Sequence, residues 1–217
     1  MNGRVDANEN MTRERILEAA ETVFAERGYH GAAVEEIVRR TDMSKGGFYF
    51  HFPSKELLFF TIMDNLTERL LNRLEKCTAR EKSAIAKVEV ALDTVFESLV
   101  KRRRLAKLLL VQGYSMGRNF EKKRMDIFSR FAAVIKRTLD HAIDEGTIPP
   151  TDTTTVAYSW IGAINEVVIR WLYTGKPSPI GGALLTLRQS LLRGVGAQES
   201  VYYGYTQDQQ SYLEGEN

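Results

Sequence analysis

A single cysteine, Cys77, stands among 217 residues. It can close no intrachain disulfide, and no cysteine-rich zinc site can be built from it. Apolar runs are short, and none approaches the roughly 18 residues that a membrane-crossing helix needs. The opening stretch MNGRVDANEN lacks the apolar core of a secretory signal, so the expected setting is cytoplasmic and reducing. An excess of charge is missing too. Thirty basic and 28 acidic side chains leave +2, too little to imply a nucleic-acid partner by itself. Three histidines, His30, His51 and His141, lie at no metal-ligand spacing with one another or with Cys77. No glycine-rich phosphate cradle occurs. Neither a metal nor a cofactor is expected. Period-2 alternation and internal repeats are also lacking, which argues against sheet and solenoid folds.

What the chain has is helical periodicity. In residues 12–28, Ile16, Ala20, Val23 and Phe24 recur at i, i+4, i+7 and i+8, a one-sided apolar stripe with Thr12 to cap it and Gly28 to end it. Val34, Ile37 and Val38 mark a short helix over 33–40. Ser44 caps a third over 45–51, Pro53 stops it, and Ser54 caps a fourth that runs to about Cys77. Further helices are expected at 83–101, 102–113, 120–145, 153–174 and 180–194, punctuated by Gly117, Gly146, Pro149, Pro150, Gly175, Pro177 and Pro179. The polar end, 196–217, reads as a flexible tail, and residues 1–11 as a flexible arm.

Helix, short helix, turn, helix is the helix-turn-helix order. The third helix, SKGGFYFHF, is unusual in its chemistry. Two adjacent glycines in a first turn cost about 1 kcal/mol each in propensity, and they make sense where the backbone must approach something closely, such as base edges in a major groove. Phe48 and Phe52, four apart, can face inward. Lys45, Tyr49, Phe50 and His51 then point elsewhere; a cation and a phenol suit phosphate oxygens, and Phe50 suits thymine methyls.

The string from Gly28 to Leu58, and within it SKGGFYFHFPSKELL, resembles the TetR family of bacterial transcriptional repressors, and TRERILEAAETVFAERG fits that family's first helix. The likeness covers about residues 12–62. It implies an all-α chain: a helix-turn-helix DNA-binding domain over 12–53, then an effector-binding and dimerisation bundle over 54–195. It implies phosphate contacts at Lys45, Tyr49, His51 and Lys55, and base-edge approach by Gly46, Gly47 and Phe50. Ser44 stands at the start of that DNA-facing helix, and Arg39 and Arg40 flank it. It further implies a homodimer on a double-stranded operator, released by a small-molecule effector. Three positions depart from the family's pattern. Ala32 and Ala33 replace a capping hydroxyl, Asp42 replaces the turn glycine, and Phe50 replaces a more polar aromatic.

Residues 1–60 hold eight basic and ten acidic groups, whereas Arg39, Arg40, Lys45 and Lys55 face only Asp42 over 39–55. Attraction to phosphate therefore rests on local clustering, with the acids of the first helix and Glu35 and Glu36 expected to turn away.

The remainder offers three further readings. Helix 153–174 is apolar around most of its girth, so two buried faces are expected, one inside the domain and one against something else. Ala157, Ile161 and Val168, with Leu184, Leu187 and Leu191 of the next helix, are the expected seam of a symmetric dimer. Phe96, Leu99, Leu110, Tyr114, Met116, Phe128, Phe131, Trp160, Ile164 and Val168 are candidate walls of an effector pocket. The basic run Lys101, Arg102, Arg103, Arg104 and Lys107, with Arg118 and Lys122 to Arg124, reads as a solvated face, as a dock for the DNA-binding domain, or as anion contacts for an acyl-CoA-like effector, with Arg103 and Arg104 at its mouth. The string over 162–171 is similar to that of the family's acyl-CoA-responsive fatty-acid-degradation repressors.

Two other function classes stand beside this one. Gly113 to Gly117 matches the G-x-S-x-G nucleophile elbow with Ser115 as nucleophile, but that motif needs a parallel sheet and a suitably placed acid and histidine. A helical protein–protein adaptor is the other alternative. The expectation is a regulator, not an enzyme.

Overall fold

A computed structural model describes residues 2–111, 117–178 and 182–197, with side chains from residue 9 onward. Among these the chain is all-α: α1 (Asn2–Gly31), α2 (Val34–Thr41), α3 (Lys45–His51), α4 (Lys55–Thr78), α5 (Ala84–Lys101), α6 (Arg103–Leu110), α7 (Arg118–Asp144), α8 (Thr153–Thr174) and α9 (Gly182–Gly194). No helix of the described residues is long and apolar enough to cross a membrane.

The expected stops and caps are where the chemistry puts them. Gly28 breaks the helical path of α1 with φ 73°, a conformation that costs an L side chain energy and glycine little. Ser44 Oγ accepts the Gly47 N–H at 3.1 Å, and Ser54 Oγ accepts the Leu57 N–H at 3.0 Å, each satisfying an otherwise orphaned donor. Ala33 caps α2 with extended backbone and no side-chain bond. Asp42 takes the left-handed turn conformation at φ 52°, ψ 35°, where Asp is among the more tolerant residues.

The start of α1 differs most from expectation. α1 begins at Asn2, ten residues ahead of the Thr12 cap, so the expected arm 1–11 continues the helix. Nothing in Asn2–Met11 stops a helix outright. No proline occurs there, and Gly3 lies at the very end.

The chain divides into two compact units, Met1–Leu70 with Lys101–Ile127, and Leu71–Val100 with Phe128–Asn217. In the first, Ile16, Ala20, Val23 and Phe24 of α1 are buried together with Ile37, Phe48, Phe52, Leu58, Phe59 and Phe120. The Phe59 ring lies 5.2 Å from Phe24, 5.0 Å from Tyr29 and 6.5 Å from Phe120. Each of the larger aliphatic and aromatic side chains stabilises the unit by about 1.5–3 kcal/mol through burial. α6 packs on α1 in the same unit.

In the second unit α8 buries Thr153, Ala157, Trp160, Val168, Trp171 and Leu172. This is one stripe, the face expected inside the domain. Tyr158 and Tyr173, 50% and 65% exposed, lie outside it. Asp152 caps α8 by accepting the Thr154 and Thr155 N–H groups, both at 3.1 Å, and Gly175 ends it in the left-handed region. Arg188 of α9 faces Glu89 and Asp93 of α5 at 3.8 and 3.9 Å.

Candidate nucleic-acid interface

α2, the turn at Asp42 and Met43, and α3 make the helix-turn-helix. Its rigidity has identifiable sources. Thr41 is buried and its hydroxyl donates back to the Val38 carbonyl at 2.9 Å, while the Thr41 carbonyl accepts from Arg15 of α1 at 3.1 Å. Phe48 and Phe52 are 0% and 1% exposed, as their spacing requires, and the Arg13 guanidinium lies 5.0 Å over the Phe52 ring. With these inside, α3 turns its other side outward. Phe50 is 74% exposed and Tyr49 41%, values unusual for large aromatics that nothing in the unit covers. His51 is half-buried, its ring edge-on to Phe50 at 5.3 Å.

The two glycines of α3 have different surroundings. A Cβ on Gly46 would meet nothing nearer than Ser44 Oγ at 4.0 Å, whereas one on Gly47 would crowd Met43 Cε and Ser44 Oγ, both at 3.3 Å. Gly47 thus has a local reason in the cap it serves. Gly46 has no packing reason.

The cations expected at phosphate are largely engaged. Lys45 Nζ donates to Glu35 Oε1 at 2.6 Å across the turn; this bond raises the lysine and lowers the glutamate from their ordinary pKa values. Arg40 donates to Glu26 of α1 at 2.6 Å and to Glu36 at 3.1 Å, and its hydrogen bond holds the Glu26 carboxyl below the usual range. The Lys55 ammonium sits 4.6 Å over the Tyr29 ring, and partial burial lowers its pKa. Arg39 is exposed. The expectation that Glu35 and Glu36 turn away is therefore wrong. Opposite charges within reach across a two-helix corner pair with each other when no anion from outside competes. Glu35, Glu26 and Tyr29 are the residues that sequence reasoning missed here. Only the tertiary approach of α1, α2 and α3 brings them to their partners.

The basic run on α6 and α7 is partly absorbed within the same unit. Arg102 pairs with Glu21, which also accepts from Arg69 at 3.1 Å. Lys123 donates to Asp64 at 2.6 Å, and Asn119 to Glu56 at 3.2 Å. Arg103 and Arg104 are exposed on α6.

The candidate pocket residues fall in both units. Leu110 belongs to the first; Phe96, Leu99, Phe128, Phe131, Trp160, Ile164 and Val168 belong to the second. Phe96, Trp160 and Val168 are buried, and Leu99, Phe128, Phe131 and Ile164 half-buried. Tyr114 and Met116, like the elbow residue Ser115, lie outside the described residues. The expected tail, 196–217, lies there too, except for Gly196 and Ala197. Of the expected dimer seam, Ala157 and Val168 are 1% exposed and Leu191 8% within a single chain. These three are core, which corrects that part of the seam: side chains already covered by their own unit have no surface to offer a partner. Ile161, Leu184 and Leu187 are half-buried. Among the described residues no group of three His, Cys, Asp or Glu could hold a metal ion.

Comparison with known proteins places this geometry. The family model for bacterial regulatory proteins of the tetR family matches residues 16–62. The HTH-type transcriptional regulator YfiR of Bacillus subtilis (strain 168) is 30% identical over 165 residues, spanning 71% of this chain and 77% of the relative. Among solved structures, the transcriptional regulator FadR from Bacillus subtilis in complex with stearoyl-CoA superposes with a TM-score of 0.76 at 21% identity, over 84% of this chain and 98% of that one. The fatty acid degradation regulator FadR from Bacillus halodurans gives 0.75 at 20% identity, over 83% and 98%. These two likenesses are of fold.

Proposed function

The chain belongs to the TetR family of bacterial regulatory proteins, and on that premise we propose that it is a repressor whose α3 reads a palindromic operator and which a small apolar effector releases. It is a DNA-binding transcriptional regulator. The observation that carries the contact surface is the outward pair Tyr49 and Phe50 on a helix whose Phe48 and Phe52 are fully inside. Lys45, Tyr49, His51 and Lys55 meet phosphate, Ser44 and the flanking Arg39 and Arg40 lie at the same surface, and Gly46, Gly47 and Phe50 approach base edges. Residues 12–53 form the DNA-contacting portion, and 54–195 serve effector binding and dimerisation.

Two chains pair through the outer side of α8 and α9, where Ile161, Leu184 and Leu187 are only half-covered and Tyr158 is exposed. Their recognition helices then stand one DNA turn apart, roughly 34–36 Å or a multiple. The effector has an apolar body and an anionic end, as an acyl-CoA does. The support is the aromatic and aliphatic supply on α5, α7 and α8, the exposed Arg103 and Arg104, and the stearoyl-CoA named for the Bacillus subtilis neighbour. Such an effector acts by binding the DNA-incompetent state better, by about 1–3 kcal/mol of coupling. No catalytic role is proposed for Ser115, since a nucleophile elbow stands on a parallel sheet and the described residues contain no strand.

Gel shift with promoter DNA tests the reading. Tyr49→Ala and Lys45→Ala should abolish the shift with the melting temperature nearly unchanged, and wild-type affinity in either would refute it. Titration with acyl-CoAs of rising chain length tests the effector. Release that strengthens with length and weakens in Arg103→Ala/Arg104→Ala supports it, and no release by any acyl-CoA ends it. A sedimentation mass of one chain at micromolar concentration would exclude the dimer.

A further inference from the structure

We propose that Glu35 is a built-in competitor for DNA phosphate at Lys45, and so sets how tightly this chain holds duplex DNA of any sequence. The inference rests on the assignment of α3 as the DNA-contacting helix. Its starting point is the 2.6 Å bond from Lys45 Nζ to Glu35 Oε1, which ties the first residue of α3 to the first turn of α2.

Three observations give the bond this role. First, a glutamate oxygen and a phosphodiester oxygen are the same kind of partner for an ammonium, an anionic acceptor taking a charge-assisted hydrogen bond. Lys45 can serve one of them well at a time. Second, the two side chains are 59% and 65% exposed. The pair is a weak one of the surface type, readily exchanged, and neither group is locked by packing. Third, Lys45 and Tyr49 are four apart on α3 and share a face, and Tyr49 is exposed there. Glu35 therefore brings a negative charge to the side of α3 that carries Lys45 and Tyr49. The other acids near the corner do something different. Glu26 and Glu36 hold Arg40, and neither reaches α3.

Binding then exchanges Lys45–Glu35 for Lys45–phosphate and leaves the Glu35 carboxylate beside the DNA backbone. Both consequences oppose binding. They bear most on random-sequence DNA, where affinity is almost wholly electrostatic; an operator adds base contacts that Glu35 does not touch.

The test uses the full chain and a short random-sequence duplex, followed by fluorescence anisotropy as salt is varied, with four proteins: wild type, Glu35→Gln, Lys45→Ala and the double variant. Glu35→Gln should tighten binding about two- to fivefold for each recognition helix engaged. Lys45→Ala should weaken it and flatten the salt slope by about 0.9 per engaged helix. Glu35→Gln should gain clearly less on the Lys45→Ala background. Unchanged or weaker binding by Glu35→Gln overturns the proposal while leaving the α3 assignment standing. Equal gains on both backgrounds overturn it too, reducing Glu35 to plain repulsion. A Lys45→Ala variant that binds like wild type overturns the α3 assignment and the proposal with it. Glu35→Ser repeats the measurement if the glutamine variant melts abnormally.

Discussion

Ser44 and Gly47 constrain each other twice. The Ser44 Oγ accepts the Gly47 N–H at 3.1 Å, and the same oxygen is one of two atoms that a side chain on Gly47 would crowd, at 3.3 Å. The capped first turn of α3 thus specifies one of its glycines from within the protein. A Cβ on the other, Gly46, would meet nothing nearer than Ser44 Oγ at 4.0 Å, so nothing within the protein requires its absent side chain.

The two glycines should therefore separate. Gly46→Ala is expected to stabilise the chain by up to about 1 kcal/mol, the propensity difference between the residues, and yet to weaken operator binding. Gly47→Ala should gain less stability because the cap must shift to admit the methyl group. Thermal melts and anisotropy titrations on both variants check this. A Gly46→Ala variant that binds DNA as wild type does would remove the close-approach argument.

Ala33 is the N-cap of α2 and supplies no side-chain bond, though its backbone is already extended at φ −89°, ψ 140°. Ala33→Ser should restore the missing acceptor and stabilise the chain by about 0.5–1 kcal/mol. The residue is exposed, so no core packing opposes the change. Denaturant melts decide it, and a loss of stability would mean that the first turn of α2 is satisfied in some other way.

Asp152 gives a pH dependence of definite sign. Hydrogen bonds from the Thr155 hydroxyl and the Thr155 and Thr154 amides hold its carboxyl below the usual aspartate range. A folded-state value below the unfolded one means that the stabilisation is fully present above the unfolded value and is lost as pH falls through the folded one. Asp152→Ala should be less stable than wild type at neutral pH, with the gap closing as the solution is acidified below the ordinary aspartate range. A gap independent of pH would show that the carboxylate form is not what caps α8.

Much of this architecture is legible in the residues. Ser44, Ser54, Gly28, Pro53 and Gly175 bound their helices because caps and breakers act locally, and Phe48 and Phe52 point inward because their spacing leaves one choice. What depends on three-dimensional approach is not legible. α8 is apolar on adjacent sides, and its period cannot say which side its own unit covers, so Ala157 and Val168, expected at a subunit seam, lie in the core of their own unit, as does Leu191 of α9. Glu35, ten residues before Lys45, belongs to another helix. Only the angle at the Asp42 turn brings its carboxylate to the lysine. Lys55 reads as an exposed base, yet it lies over Tyr29 because Gly28 redirects the chain just ahead of that ring.

The central claim is that the outward side of α3 enters DNA, and Phe50, 74% exposed, is the residue to ask. Replacing it with a photoreactive phenylalanine analogue and irradiating the complex with promoter duplex measures contact directly. The expected result is a protein–DNA crosslink at position 50 that maps to bases and disappears at high salt. No crosslink from position 50, with efficient crosslinking from the same analogue placed at Arg104 on α6, would put the DNA on another surface and contradict the account.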